Sequence, residues 1–431
     1  MPRPQLALHA DLLDITADPG LGDAHSTAVR WRPDHWLLID SNGVISAVQP
    51  EPPGEDWQRI EHPGRVLLPG FIDSHVHSPQ LDVIASWGTE LLDWLTTYTF
   101  PAEARHADAA HASASAQRFL DALLAHGTTA AAVFPTVHRA SVDALFEGAA
   151  QRGMRIISGK VLMDRHAPPN LRDDATLAET ECETLIQRWH GQGRAAYALT
   201  PRFAATSSPD QLAMAGRVLQ RHPGLYMQTH LAENRAEVAW VAELFPQSRS
   251  YLDIYASCGL LGERSILAHG IWLDDADRAL LQATGSQIAF CSSSNLFLGS
   301  GLFGWAQARA AGVSVSLASD VGGGTSLSML RTMADGYKVQ ALAGTRLSAW
   351  ALLHAATRGP AQALRLGHEI GTLEPGLMAD VAVWDWAVGD VARHRDSLAR
   401  TLHERVFAWM TLGDERNLVE TWVAGQRRWA R

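Results

Sequence analysis

Between residues 66 and 319 the chain repeats one pattern eight times: a short apolar run that reads as a strand, then a stretch of helical spacing or a loop. The predicted strands cover residues 66–73, 128–134, 154–162, 196–200, 225–229, 265–268, 286–290 and 313–319. Helical stretches at 109–126, 141–151, 210–221 and 275–283 separate several of them, with Gly127, Gly153 and Gly285 standing where left-handed caps would end helices. Eight such units suit a closed (β/α)8 barrel of the TIM type better than an open doubly wound sheet.

The two ends of the chain have a different texture. "HWLLID" and "VISAV" flank Asn42-Gly43, a dipeptide suited to a tight hairpin, and "GTLEPGLMADVAVWD" and residues 418–426 make a second strand-rich stretch. Neither end can bury a face alone, so the two are expected to pair into one small β-sandwich. The chain of 431 residues thus divides into an N-terminal part of the sandwich (1–65), a barrel (66–370) and a C-terminal part of the sandwich (371–431).

A formal net charge of −10 and the lack of any clustered Lys/Arg run argue against nucleic acid as a partner. No GxGxxG or P-loop pattern follows a predicted strand, which argues against nucleotide phosphates. Cys182, Cys258 and Cys291 are isolated, so a reducing compartment is expected. With no apolar run of signal-peptide or membrane-spanning length, the sequence reads as a cytoplasmic chain without a membrane partner.

Metal-binding residue types stand just beyond the predicted strands: His75 and His77 in "SHVHSPQ", His230 and Glu233 in "QTHLAEN", His269 in "LAHG", and Asp320 in "LASDVGG". Barrel sites are built from strand ends in this way, on the C-terminal rim. His75 and His77, two apart on an extended chain, face the same side. Imidazoles with one carboxylate suit zinc or iron rather than magnesium. Such an ion lowers the pKa of bound water from 15.7 to about 7, and the hydroxide still needs a proton carrier. Glu233, three residues beyond His230, is the candidate, with Asp320 orienting the water. Each residue has a plainer reading alone: an HxH pair is weak evidence, Glu233 could cap a helix beside Asn234, and Asp320 could brace the loop into Gly322-Gly323-Gly324. His106, His111, His190 and His354 read as solvated helix residues. Joint placement at four strand ends favours the metal site.

The segments "LLPGFIDSHVHSPQLDVIASWGTELLDWLTTYTFPAE", "TPRFA", "QTHLAEN", "AHG", "CSSSNLFLGSGLF" and "SDVGGGTSLSMLRTMADGYKVQ" resemble the amidohydrolase superfamily and, within it, the guanine deaminase family. The resemblance covers nearly all of residues 66–345; the HxH and strand-end aspartate mark only the superfamily, whereas "LLDWLTTYTFPAE" and "TPRF" are more specific. It implies one catalytic zinc per chain on His75, His77, His230, His269 and Asp320, with iron as the alternative, and catalytic roles for Glu233, Asp320 and His269. It further implies substrate contacts from Gln80, Arg202, Phe203, His230, His269 and Asp320, hydrolysis of guanine to xanthine and ammonia in purine catabolism, and a homodimer. The chain departs from the family pattern at "CSSSN", where relatives often read "CPTSN", and at "ATSSP", where relatives often carry a cysteine; the ligands are untouched.

The residue chemistry agrees with that substrate. Arg202 can only donate, so it should face an acceptor such as guanine O6, whereas adenine offers an amino donor there. A donor left without its partner can discriminate by a factor on the order of 10⁴. Gln80 offers both a donor and an acceptor, and Phe203 could stack on the base or cover it. The stretch "AAYALTPRF" carries no lysine of the kind that bridges two metals, so a mononuclear site is expected. No PCxxC pair is present, which sets aside cytidine-deaminase-type chemistry. Two rivals remain: a deaminase of another purine or a triazine, and a metal-free scaffold.

Overall fold

The computed structural model describes residues 4–88 and 91–431, whose strands fall into two sheets. In the larger sheet, Phe71–His77, Thr128–Phe134, Arg155–Ser158, Ala195–Pro201, Tyr226–Leu231, Ser265–His269, Gln287–Phe290 and Ser314–Leu317 lie side by side in chain order, all parallel. Bonds just beyond the last strand close the ring. Asp320 N donates to His75 O (2.9 Å), His77 N donates to Val321 O (3.0 Å), and the N–H and hydroxyl of Ser319 both donate to the Asp73 carboxylate. The expected (β/α)8 barrel is therefore present.

The period-2 alternation of the strands explains what fills it. Ala130, Ala132, Ala196, Ala198, Ala268, Ala289 and Ala318 join Ile72, Ile157 and Ile266 in one interior cluster, while their neighbours Ala131, Val133, Tyr197, Leu199, Leu267 and Ile288 pack outward among the helices. Small interior side chains leave room at one end of the barrel for bulky imidazoles.

The chain ends share the second sheet, as expected. Its seven strands run in the order Gln426–Ala430, Leu418–Val423, Val381–Trp384, Gln58–Pro69, Leu6–Ile15, Val29–Ile39 and Ile45–Gln49, antiparallel except for the pairing of Leu6–Ile15 with Gln58–Pro69. One face buries Leu8, Leu12, Leu37, Leu67, Val381 and Val383; the other presents Leu13, Ile15, Leu68, Ala382 and Trp384 to the barrel helices.

Two predicted strands are divided. The run at 66–73 is split at Gly70: Gln58–Pro69 belongs to the terminal sheet and Phe71–His77 to the barrel. A side chain at residue 70 would lie 2.3 Å from Thr129 Oγ1, so the chain crosses between sheets where only glycine fits. The run at 154–162 breaks at Gly159, where a Cβ would meet the Ala198 carbonyl oxygen at 1.9 Å, and resumes as Val161–Leu162. His106, read as solvated, is instead buried with its ring 4.8 Å from that of His111. Among the described residues no helix is long and apolar enough to cross a membrane.

Candidate active site

Four strand ends deliver the predicted donors to one point. His75 and His77 close the first barrel strand, His230 lies on the fifth, His269 ends the sixth, and Asp320 follows the eighth. The donor atoms of His75, His230, His269 and Asp320 lie within 4.8 Å of one another. His77 Nε2 is 3.2 Å from both His75 Nε2 and His230 Nε2, and 3.3 Å from Asp320 Oδ1. His269 (φ 69°) and Asp320 (φ 49°) adopt left-handed backbone, a conformation that costs a side-chain-bearing residue about 1–3 kcal/mol and persists only where surroundings enforce it.

The protonation pattern fits a cation at the centre. His230 Nδ1 donates to the Arg202 carbonyl (2.7 Å) and His269 Nδ1 to Asn295 Oδ1 (2.8 Å), which leaves both Nε2 atoms as bare lone pairs turned inward. Burial holds the His77 imidazole down at about 3 and His230 well below its ordinary value, so neither supplies a proton to relieve its neighbours. His269 Nε2 is buried without a hydrogen-bond partner. Burial opposes ionisation of Asp320, but its close polar contacts with His75 and His77, at 3.2 and 3.3 Å, hold its carboxyl well below the usual range. Converging lone pairs with one carboxylate are a metal-type donor set.

Glu233 lies beside it, with Oε2 3.4 Å from His269 Nε2 and Oε1 accepting from Ser300 Oγ at 3.1 Å. Burial, then the charge of Asp320, push its carboxyl up to about 8. Glu233 does not cap the following helix, Arg235–Leu244: Asn234 does so, accepting from Ala236 N at 2.8 Å. Glu237 completes that cap, accepting from the N–H groups of Glu233 (2.9 Å) and Asn234 (3.1 Å), while Tyr251 donates to its other oxygen (2.7 Å).

A pocket opens on the donor set, lined by the apolar Leu91, Trp94, Leu95, Leu298 and Phe203 and the polar Gln80, Arg202, Glu233 and Glu237. The ring of Phe203 stands edge-on to Trp240, with centroids 6.1 Å apart. Arg202 is not free: its Nη1 donates to both oxygens of Glu103 (2.7 and 3.0 Å). Gln80 Nε2 donates to Glu103 Oε1 (3.3 Å) and Gln80 Oε1 accepts from Gly322 N (3.2 Å).

All nine predicted site residues thus line one cavity or its metal-type floor. Sequence reasoning missed Glu103, Glu237, Asn295 and Ser300. Glu103 closes the quoted "TYTFPAE" segment, and Asn295 and Ser300 lie in "CSSSNLFLGSG", but no spacing there singles out these three partners. Lys160, the lysine of the third predicted strand, lies outside the donor set and pairs with Asp173, with Glu181 at 3.5 Å.

The donor set and barrel define the class of protein: the amidohydrolase family model matches residues 66–428, and the chain belongs to that family of metal-dependent hydrolases. Within it, the chain is similar to guanine deaminases along nearly its whole length. It is 41% identical to the guanine deaminase of Escherichia coli (strain K12), over 97% of both chains. The solved E. coli guanine deaminase superposes with a TM-score of 0.94 at 39% identity, over 99% of each chain. The C. acetobutylicum guanine deaminase, solved with guanine bound in its active site, superposes with a TM-score of 0.89 at 25% identity, over 98% of this chain and 99% of that one.

Proposed function

We propose that this chain is a guanine deaminase, hydrolysing guanine to xanthine and ammonia with one zinc ion. The observation that carries the reading is the juxtaposition, in one small pocket, of a buried carboxyl suited to proton transfer, Glu233, and a buried obligate donor, Arg202, beside an inward-facing His/Asp donor set. A divalent cation held by His75, His77, His230, His269 and Asp320 supplies Lewis-acid activation of water.

The chain's own residues do the rest. With a cation on the neighbouring donors, whose charge would favour the ionised carboxylate, Glu233 would take a proton from the attacking water and return it to the nitrogen leaving C2 of the base. Asp320 and His269 orient the attacking water and the base, and Ser300 holds Glu233 in place through Oε1. Arg202 donates to the six-position carbonyl, Gln80 pairs with another polar edge, and Phe203 covers the ring. Leu91, Trp94, Leu95 and Leu298 exclude bulk water, which strengthens every polar contact inside.

Zinc rather than iron, cytoplasmic location and homodimeric assembly belong to this reading through the family resemblance. So does the division of the chain into a catalytic barrel at 66–370 and flanking segments at 1–65 and 371–431, although the terminal-sheet strand Gln58–Pro69 runs on past residue 65 to the crossing at Gly70. The buried His269 Nε2, which makes no hydrogen bond and faces the other donors, argues against the metal-free scaffold. The test is ammonia release from guanine, 8-oxoguanine, adenine and ammeline, with metal analysis of the same sample and light scattering for assembly. Guanine is expected to be the fastest by a wide margin; ammonia from none of the four would overturn the reading.

A further inference from the structure

Glu103 is fully buried, as is Arg202 beside it, with side chains 0% and 3% exposed. A buried ion pair of this kind is weak evidence for a stabilising role, since two well-packed apolar side chains would hold the fold as well or better. What distinguishes Glu103 is its reach. It comes from the short helix Phe100–Ala104, which directly follows the segment carrying Leu91, Trp94 and Leu95 of the pocket lining, and it grips two side chains from elsewhere in the chain.

The consequences follow from donor and acceptor chemistry. Gln80 Nε2 donates to Glu103 and Gln80 Oε1 accepts from Gly322 N. A flipped amide would set its oxygen against a carboxylate and its NH₂ against an N–H, so the orientation is locked. Arg202 Nη1 is committed to Glu103 and the guanidinium carbon lies 5.6 Å from the Phe100 ring, so the side chain is fixed where it lines the pocket. The carboxylate also cancels the guanidinium charge within hydrogen-bond distance. Arg202 therefore lines the pocket as a directed donor whose charge is already balanced.

We propose that Glu103 is the specificity-determining positioning residue of this pocket: by holding Gln80 and Arg202 together it selects a neutral base bearing a carbonyl acceptor and rejects both an analogue lacking that acceptor and anions. The inference rests on the deaminase reading above and deepens it. Glu103 touches no reacting atom, so its removal acts on binding and selectivity before turnover.

The test compares wild type with Glu103→Gln, each with its metal content verified, on guanine and on 2-aminopurine, which keeps the C2 amine but lacks the six-position carbonyl. Purine-6-carboxylate serves as an anionic inhibitor. For Glu103→Gln, KM for guanine should rise about 10-fold or more with kcat within about 3-fold, the pattern of lost uniform binding. The preference for guanine over 2-aminopurine should fall by about 10²-fold out of a discrimination on the order of 10⁴. Inhibition by purine-6-carboxylate should tighten about 10-fold as the guanidinium charge is released, a gain that general loosening of the fold would not produce. Glu103→Asp keeps the charge but is one methylene shorter, and should fall between the two proteins. If Glu103→Gln does not fold, the aspartate variant alone decides, and unchanged selectivity in it overturns the proposal. Wild type active on guanine, with selectivity and anion inhibition untouched in Glu103→Gln, overturns the role of Glu103 while leaving the deaminase reading standing. Wild type inactive on guanine removes both.

Discussion

Asn295 Oδ1 accepts the Nδ1 proton of His269 at 2.8 Å, and this contact between the segment after the seventh barrel strand and the end of the sixth decides which imidazole nitrogen faces the site. Partners of this kind tune a metal ligand without touching the metal, and their loss typically weakens binding by about 10- to 100-fold. Asn295→Ala is therefore expected to fold normally and to lose zinc to a competing chelator at concentrations the wild type resists. Titration of both proteins against a chromogenic chelator measures it, and equal zinc affinities would show that packing alone orients His269.

Glu233 is held by Ser300 at one oxygen and lies 3.4 Å from His269 Nε2 at the other. Glu233→Gln keeps the shape and removes the proton carrier. Turnover should drop by about 10² to 10⁴, the usual contribution of a positioned acid or base, with zinc retained. Steady-state kinetics beside elemental analysis separates the two effects; a fully active glutamine variant would remove Glu233 from the mechanism.

Metal removal provides an independent measure. Dialysis against a chelator should abolish activity and lower the melting temperature, because an ion bound to the folded state alone stabilises it by mass action. Activity and melting temperature should both return at one zinc per chain. A requirement for two would refute the mononuclear site.

A network far from the site ties the barrel to the terminal sheet. Arg194 donates to Glu369 (2.7 Å), Asp380 (2.7 and 3.0 Å) and the Gly153 carbonyl (2.9 Å), while Asp380 also accepts from Ala424 N (2.8 Å). Arg194→Met leaves buried Asp380 without its arginine and takes from Glu369 one of its two, Arg155 remaining, and should cost about 3 kcal/mol in chemical denaturation. Burial opposes ionisation of Glu369, but its hydrogen bond from Arg155 and the Arg194 charge hold its carboxyl below the ordinary 4.5. A depressed carboxyl contributes stability that is present above its unfolded value and lost as pH falls. The gap between wild type and variant should thus stay constant above pH 4.5 and narrow below it; a gap independent of pH would show that Glu369 is not coupled to Arg194.

The alternation of Ala130 to Val133 and the glycine-punctuated helices made the barrel legible, because period 2 and period 3.6 are properties of neighbouring residues. The donors were legible for the same reason: His75, His230, His269 and Asp320 each stand next to an apolar run. The crossing at Gly70 was not, since it depends on Thr129, which the linear pattern does not place beside it.

What the amino-acid order determined by itself was which residue types would stand at the mouth of eight strands, and so the kind of chemistry available there. Only the closed ring decided who holds whom: Glu103 meets Arg202 across 99 residues, Ser300 meets Glu233 across 67, and Ser319 meets Asp73 across 246. Local periodicity is written into short stretches of chain. Hydrogen-bond partnership between distant side chains exists only after packing has fixed their distance and direction, and those partnerships set charge, tautomer and orientation in the pocket.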